Sequence, residues 1–192
     1  QEVSRGWVLN GSMDSLIWLA QRLDMVPVFG PAADAQWGNS VLTKLPVESF
    51  TNHPLPPDDL LLKRAYMELG LNRGSEQPLT VINTHYHNPA AGGAIREEQT
   101  ATILEAWNGT AATVIMGDMN AEHGMPEIDR YVEAGFGDVL DLTGVEPGYT
   151  NPVPGPFRRI DYIFITPDLA ASAAVVQPEE ASDHLPVAVT IR

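Results

Sequence analysis

Five small polar clusters sit where short apolar runs end: Glu2, His85, Asp118 with Asn120, Asp161, and Asp183 with His184. This recurrence constrains the fold more than any other feature, because strand ends let a rigid sheet bring side chains from distant parts of a chain into one place. Strand-like runs cover 26–29, 38–44, 65–71, 79–84, 113–116, 160–165 and 185–191. Helical spacing is confined to three stretches. Segment 12–24 carries Met13, Leu16, Ile17, Ala20 and Leu23 behind Ser12 as a cap, a helix from about 95 to 107 turns Ile95, Thr102, Ile103 and Ala106 inward, and a short one spans 126–134. The HPLPPDD stretch at 53–59 reads as a proline-rich connection, and PGYTNPVPGPF at 147–157 as turns. Helices separate groups of strands instead of alternating with every strand, which predicts an α+β fold of two packed sheets with helices outside.

The length of 192 residues suits one domain covering 1–192. With 11 Lys+Arg against 25 Asp+Glu the formal charge is −14, so a broad basic surface for nucleic-acid phosphates is disfavoured and an anion must be held locally, through a cation. There is no cysteine, which excludes disulfides, thiol catalysis and thiolate metal sites. No run approaches the ~20 apolar residues of a membrane span, and no signal peptide is evident, so the chain reads as a soluble piece. It holds no GxSxG elbow, Walker loop or GxGxxG turn.

Taken singly, each cluster has an ordinary reading. Gly117-Asp118-Met119-Asn120 after the TVIM strand can be an Asx turn ahead of the next helix, and Ser182-Asp183-His184 a surface turn. Asp161 is harder to dismiss: in an apolar strand its carboxylate needs a partner, and a histidine is the natural candidate. Together the clusters supply an acid-oriented imidazole and oxygen ligands for a hard cation. In order along the chain, Gln1-Glu2, the GNSVLTKLPV segment from Gly38, Asn83-Thr84-His85, Gly117-Asp118-Met119-Asn120, Arg159-Ile160-Asp161-Tyr162 and the SDHLPV segment from Ser182 resemble the motifs of the endonuclease/exonuclease/phosphatase superfamily of deoxyribonuclease-like phosphoesterases.

That resemblance implies a four-layered α/β sandwich, its two packed, mainly antiparallel sheets flanked by helices, and cleavage of a phosphodiester with Mg²⁺ or Mn²⁺. It assigns Glu2 and Asp183 to the metal, Asp161 to orienting the catalytic His184, Asp118 to the attacking water, Asn120 to the phosphate, and His85 to the phosphate or leaving group. Asn39 and Arg64 occupy places that face the site in relatives, although Asn39 equally suits a turn cap. His87 and His123 read as solvated, Trp7, Trp18 and Trp107 as core, and Trp37 as a groove residue; the sequons at 10–12 and 108–110 are too short to weigh.

Relatives begin with a strand that has no counterpart before Gln1. The expectation is a chain that lacks its first strand, continues upstream in its parent protein, and leaves a sheet edge that a second copy can cover. Residues 1–50 also resemble the C-terminal domain of membrane proteins that remodel the lipid of GPI anchors, and bacterial relatives, which points to membrane contact through that upstream region. Small phosphodiesters or phospholipid headgroups therefore rank first as substrates and DNA or RNA second, while a noncatalytic binding domain is the alternative of another class. The cellular compartment stays open.

Overall fold

The computed structural model describes the chain from Gln1 to Arg192 except Trp7, Leu9, Asn10, Glu76 and Glu180. Trp7 and the sequon at Asn10 therefore lie outside the described residues. The chain divides into two compact units, Gln1–His85 and Tyr86–Arg192. No described helix is long and apolar enough to cross a membrane.

The first unit holds β1 (Val3–Ser4), α1 (Ser15–Leu23), β2 (Val26–Asp34), β3 (Trp37–Thr43), β4 (Val47–Leu55), β5 (Arg64–Leu71) and β6 (Leu79–His85). β1, β3 and β2 pair antiparallel in that order, as do β4, β5 and β6. β5 packs against β2 and β3. Its Ala65, Met67, Leu69 and Leu71 are buried while Glu68 and Gly70, which alternate with them, are half-buried; Tyr66 breaks the alternation by being buried too. Full burial of Met67, Leu69 and Ile82 contributes about 1.5–3 kcal/mol each. At Gly30 in β2 the layers are in close contact: a Cβ there would meet Asn52 Oδ1 and the Met67 side chain.

Three sequence expectations for this unit are corrected. The cap of α1 is Asp14, whose Oδ1 accepts from Ile17 N at 3.1 Å, and not Ser12; a carboxylate one residue before the helix satisfies an amide that Ser12 is too early to reach. Trp18 lies on the outer face of α1, 47% exposed, with the Arg22 guanidinium 4.2 Å from its ring centroid. Residues 53–55 belong to β4, because Pro54 sits on a strand with only one partner, where a missing N–H costs no ladder bond.

The second unit contains α2 (Gly93–Trp107), β7 (Thr113–Asp118), α3 (Pro126–Glu133), β8 (Gly137–Asp138), α4 (Val139–Thr143), β9 (Asp161–Ile165), β10 (Ala171–Val176) and β11 (Val187–Ile191). β7 pairs antiparallel with β9, which pairs on its other side with β8; β10 and β11 form a separate antiparallel pair. The core centres on stacked Tyr131, Phe164 and Tyr162, and Trp107 packs on Phe136 at 4.6 Å. α4, not anticipated from the sequence, is five residues long, capped by Asp138 and stopped by Gly144 in the left-handed conformation.

α2 departs from its expected face. Its buried residues are Arg96, Gln99, Thr100 and Ile103, whereas Ala106 is exposed and Ile95 and Thr102 are half-buried. The helix turns polar groups inward because they have partners there: Arg96 Nε donates to Glu127 Oε1 at 2.7 Å and Thr100 Oγ1 to the Glu127 carbonyl at 3.1 Å. Hydrophobic periodicity is blind to a face held by hydrogen bonds.

Candidate active site

The register of β7 against β9 sets Asp118, the last residue of one strand, opposite Asp161, the first of the other. Beyond β7 the chain turns at once. Asn120 takes φ +48°, and its backbone N–H donates to Asp118 Oδ1 at 2.8 Å, so the Asx turn suggested by the sequence is real. The Asn120 amide nitrogen also donates to the Tyr86 carbonyl at 3.1 Å, while Tyr86 N–H donates to the Asp118 carbonyl at 2.9 Å. The Tyr162 hydroxyl is 3.1 Å from the Ala121 carbonyl and 2.8 Å from that of Arg159, tying this turn to the start of β9.

His184 arrives from the loop before β11. The 150–153 segment holds it there: Leu185 N–H donates to the Thr150 carbonyl at 2.7 Å, Val153 N–H to the Asp183 carbonyl at 3.0 Å, and the Asn151 amide to that same carbonyl at 3.2 Å. Thr150 and Asn151 are positioning residues that sequence reasoning missed, having read 147–157 as turns alone. Nothing in a TN dipeptide announces a contact some thirty residues away.

The imidazole lies between two carboxylates. Its Nδ1 is 2.8 Å from Asp161 Oδ2, and its Nε2 is 3.9 Å from Asp118 Oδ2. The Asp161 hydrogen bond holds the His184 pKa above the ordinary histidine value; burial opposes this, and the charges of Asp161, Asp118 and Asp183 reinforce it. His184 therefore keeps its proton further into neutral pH, suited to donating toward a developing oxyanion. Asp118, Asp161 and His184 also have ligand atoms all within 4.8 Å of one another, as a metal group would. With Nδ1 bonded to Asp161, Nε2 and the Asp118 carboxylate stay available, so the arrangement serves equally as an oriented acid or as part of a ligand set.

Asp183 and His184 diverge as adjacent residues at a turn must: Asp183 is exposed, its Oδ1 accepting from Ser182 Oγ at 3.2 Å. A cleft of about 520 Å³ is lined by Glu122, His123, Asp141, Glu146, Pro147, Tyr149 and Arg159, and not by Asp118, Asn120, Asp161 or His184. Buried Arg159 is neutralised by Asp138 and Asp141, and exposed His123 pairs with Asp141 at 3.1 Å.

The other sequence-marked residues lie in the first unit. Arg64, buried at the start of β5, donates from Nη1 to His85 Nδ1 at 3.2 Å at the end of β6, and its guanidinium is 5.8 Å from the Trp37 ring centroid. Asn39 is buried with its amide donating to the Ala65 carbonyl at 3.0 Å, a bond between layers and not a turn cap. Glu2 is exposed at φ +54°, next to Gln1, whose amide donates to Asn83 Oδ1 at 2.8 Å.

Among solved structures, the endonuclease/exonuclease/phosphatase from Beutenbergia cavernae is similar at 22% identity and a TM-score of 0.74, over 93% of this chain and 57% of that one. The human Nocturnin catalytic domain with bound sulfate is similar at 18% identity and 0.74, over 93% and 77%. ANGEL2, described as a 2′,3′-cyclic phosphatase, is similar at 15% and 0.77, over 100% and 80%. At these identities the likeness is one of fold: an α+β architecture with several sheets flanked by helices. No curated protein matches the sequence. The model of the Endonuclease/Exonuclease/phosphatase family matches residues 1–184. The chain thus belongs to the endonuclease/exonuclease/phosphatase family of phosphoesterases and nucleases.

Proposed function

We propose that this chain hydrolyses a phosphodiester by water attack, with His184 protonated and oriented by Asp161, Asp118 holding and deprotonating the water, and Asn120 donating to the phosphate. The observation that carries the reading is the imidazole fixed at 2.8 Å by one carboxylate with its other nitrogen toward a second. An acid held in this way stabilises charge that grows on phosphate oxygens only in the transition state. Within Gln1–His85, Arg64 and His85, hydrogen-bonded to each other, are the groups we assign to a phosphate or leaving oxygen.

The donors available to a metal are oxygens and imidazole, since the chain has no cysteine. That chemistry fits Mg²⁺ or Mn²⁺, for which we assign Asp183 as a donor of Tyr86–Arg192 and Glu2 as a donor of Gln1–His85. When bound, it would neutralise the phosphate and polarise its ester oxygens.

For substrate we favour a small phosphodiester or a phospholipid headgroup. A formal charge of −14 repels a long polyanion. A nucleotide phosphoester is the second reading, supported by the adenosine-2′,3′-vanadate complex of ANGEL2. The test is a Mg²⁺/Mn²⁺-dependent hydrolysis panel of bis(p-nitrophenyl) phosphate, phospholipids, RNA and plasmid DNA. His184→Ala should lose about 10²–10⁴-fold in kcat without unfolding; unchanged turnover would sink the mechanism.

A further inference from the structure

We infer that Gln99, in the middle of α2, is a positioning residue for Asn120, acting through the peptide that joins Tyr86 to His87. The inference rests on the proposed role of Asn120 at the phosphate.

One peptide plane is held from both ends. Its N–H, on His87, donates to Gln99 Oε1 at 3.0 Å, and its carbonyl, on Tyr86, accepts from Asn120 Nδ2 at 3.1 Å. Rotating that peptide breaks both bonds together. Asn120 has little freedom to adapt, because its backbone is already in the left-handed region and pinned to Asp118 Oδ1. One hydrogen of its amide nitrogen goes to the Tyr86 carbonyl, so by holding that peptide Gln99 fixes the direction of the second hydrogen, the one available to the phosphate.

The surroundings brace this link. Arg96 Nη1 donates to the His87 carbonyl at 3.2 Å and the Pro89 carbonyl at 2.9 Å, and its Nε is fixed by buried Glu127. Gly92 closes the loop: a Cβ there would lie 2.5 Å from the His87 ring. Gln99 and Thr100 have no measurable exposure, and Arg96 has 6%. A helix needing only to cover a sheet would bury apolar residues at these places; three polar side chains in one buried stripe carry desolvation costs that only specific hydrogen bonds offset. Two of the three, Arg96 and Gln99, bond directly to residues 87–89.

The test uses Gln99→Met, which keeps side-chain length and helix propensity but removes the acceptor, with Asn120→Gly, which suits the left-handed backbone. Hydrolysis of bis(p-nitrophenyl) phosphate with Mg²⁺ is measured alongside the side-chain amide NMR signal of Asn120, assigned by its loss in Asn120→Gly. Gln99→Met is expected to shift or broaden that signal and to lower kcat about tenfold with KM within about twofold. The double variant should be no slower than Asn120→Gly alone, since both changes remove one interaction. Gln99→Glu, which keeps an oxygen at the acceptor position, should return the rate to within about threefold of wild type. An unmoved Asn120 signal in Gln99→Met overturns the inference, as do losses that multiply in the double variant. A fully active Asn120→Gly removes the phosphate role of Asn120, and with it the catalytic purpose of Gln99, whatever the spectrum does.

Discussion

Asn120 carries two demands, a left-handed backbone at φ +48° and an amide held by the Tyr86 carbonyl. The two separate by mutation. Asn120→Gly should fold with wild-type stability and lose about tenfold in hydrolysis, whereas Asn120→Ala should lose the same activity and about 1 kcal/mol of stability as well, because Cβ is disfavoured at positive φ. Urea titration and initial rates on the two variants check this, and equal stability would show that the turn is not strained. Asp161 could be read from the sequence as an acid needing a partner, since a carboxylate in an apolar strand is costly alone. Its pairing with His184 at 2.8 Å follows that logic, although 23 residues separate them. Gln99 could not be read this way: a glutamine in a helix of mixed polarity carries no mark of what its amide will touch.

At the scale of elements, local rules account for starts and stops, and packing accounts for the rest. α1 begins at Asp14, whose carboxylate accepts from Ile17 N–H and pairs with Arg5 Nε at 2.7 Å. Burial raises the Asp14 pKa, but the Arg5 hydrogen bond and the capping amides outweigh it and hold the group below the ordinary carboxylate value. A carboxyl depressed on folding stabilises above its unfolded pKa and loses that contribution as pH falls through its folded pKa. Asp14→Ala should therefore cost about 1 kcal/mol at neutral pH, and the gap from wild type should close in acid, as denaturant midpoints across pH will reveal. A gap independent of pH would leave the cap without its charge. Gly30 tests packing instead of capping: Gly30→Ala pushes a methyl against Asn52 and Met67 and should destabilise by about 1–3 kcal/mol, seen as a lower Tm. The expectation that failed most at this scale, an apolar inner face on α2, failed because periodicity counts methyl groups and not hydrogen bonds.

For the molecule as a whole, the charge of −14 sets how a phosphate can be approached. Treatment with EDTA should abolish hydrolysis while circular dichroism stays unchanged, and added Mg²⁺ or Mn²⁺ should restore it; full activity in chelator would remove the metal from the reaction. Part of that acidic balance, Asp118 and Asp161, flanks His184.

The sequence by itself determined the family and marked the strand ends that carry the candidate residues, because motifs and apolar runs are local properties of the chain. Tertiary structure decided which groups meet. The β7–β9 register sets Asp118 opposite Asp161, the 150–153 segment delivers His184 between them, and a peptide clamped by Gln99 aims Asn120. Those meetings depend on strand register and on hydrogen bonds between residues far apart in the chain, and neither leaves a periodic trace in the sequence.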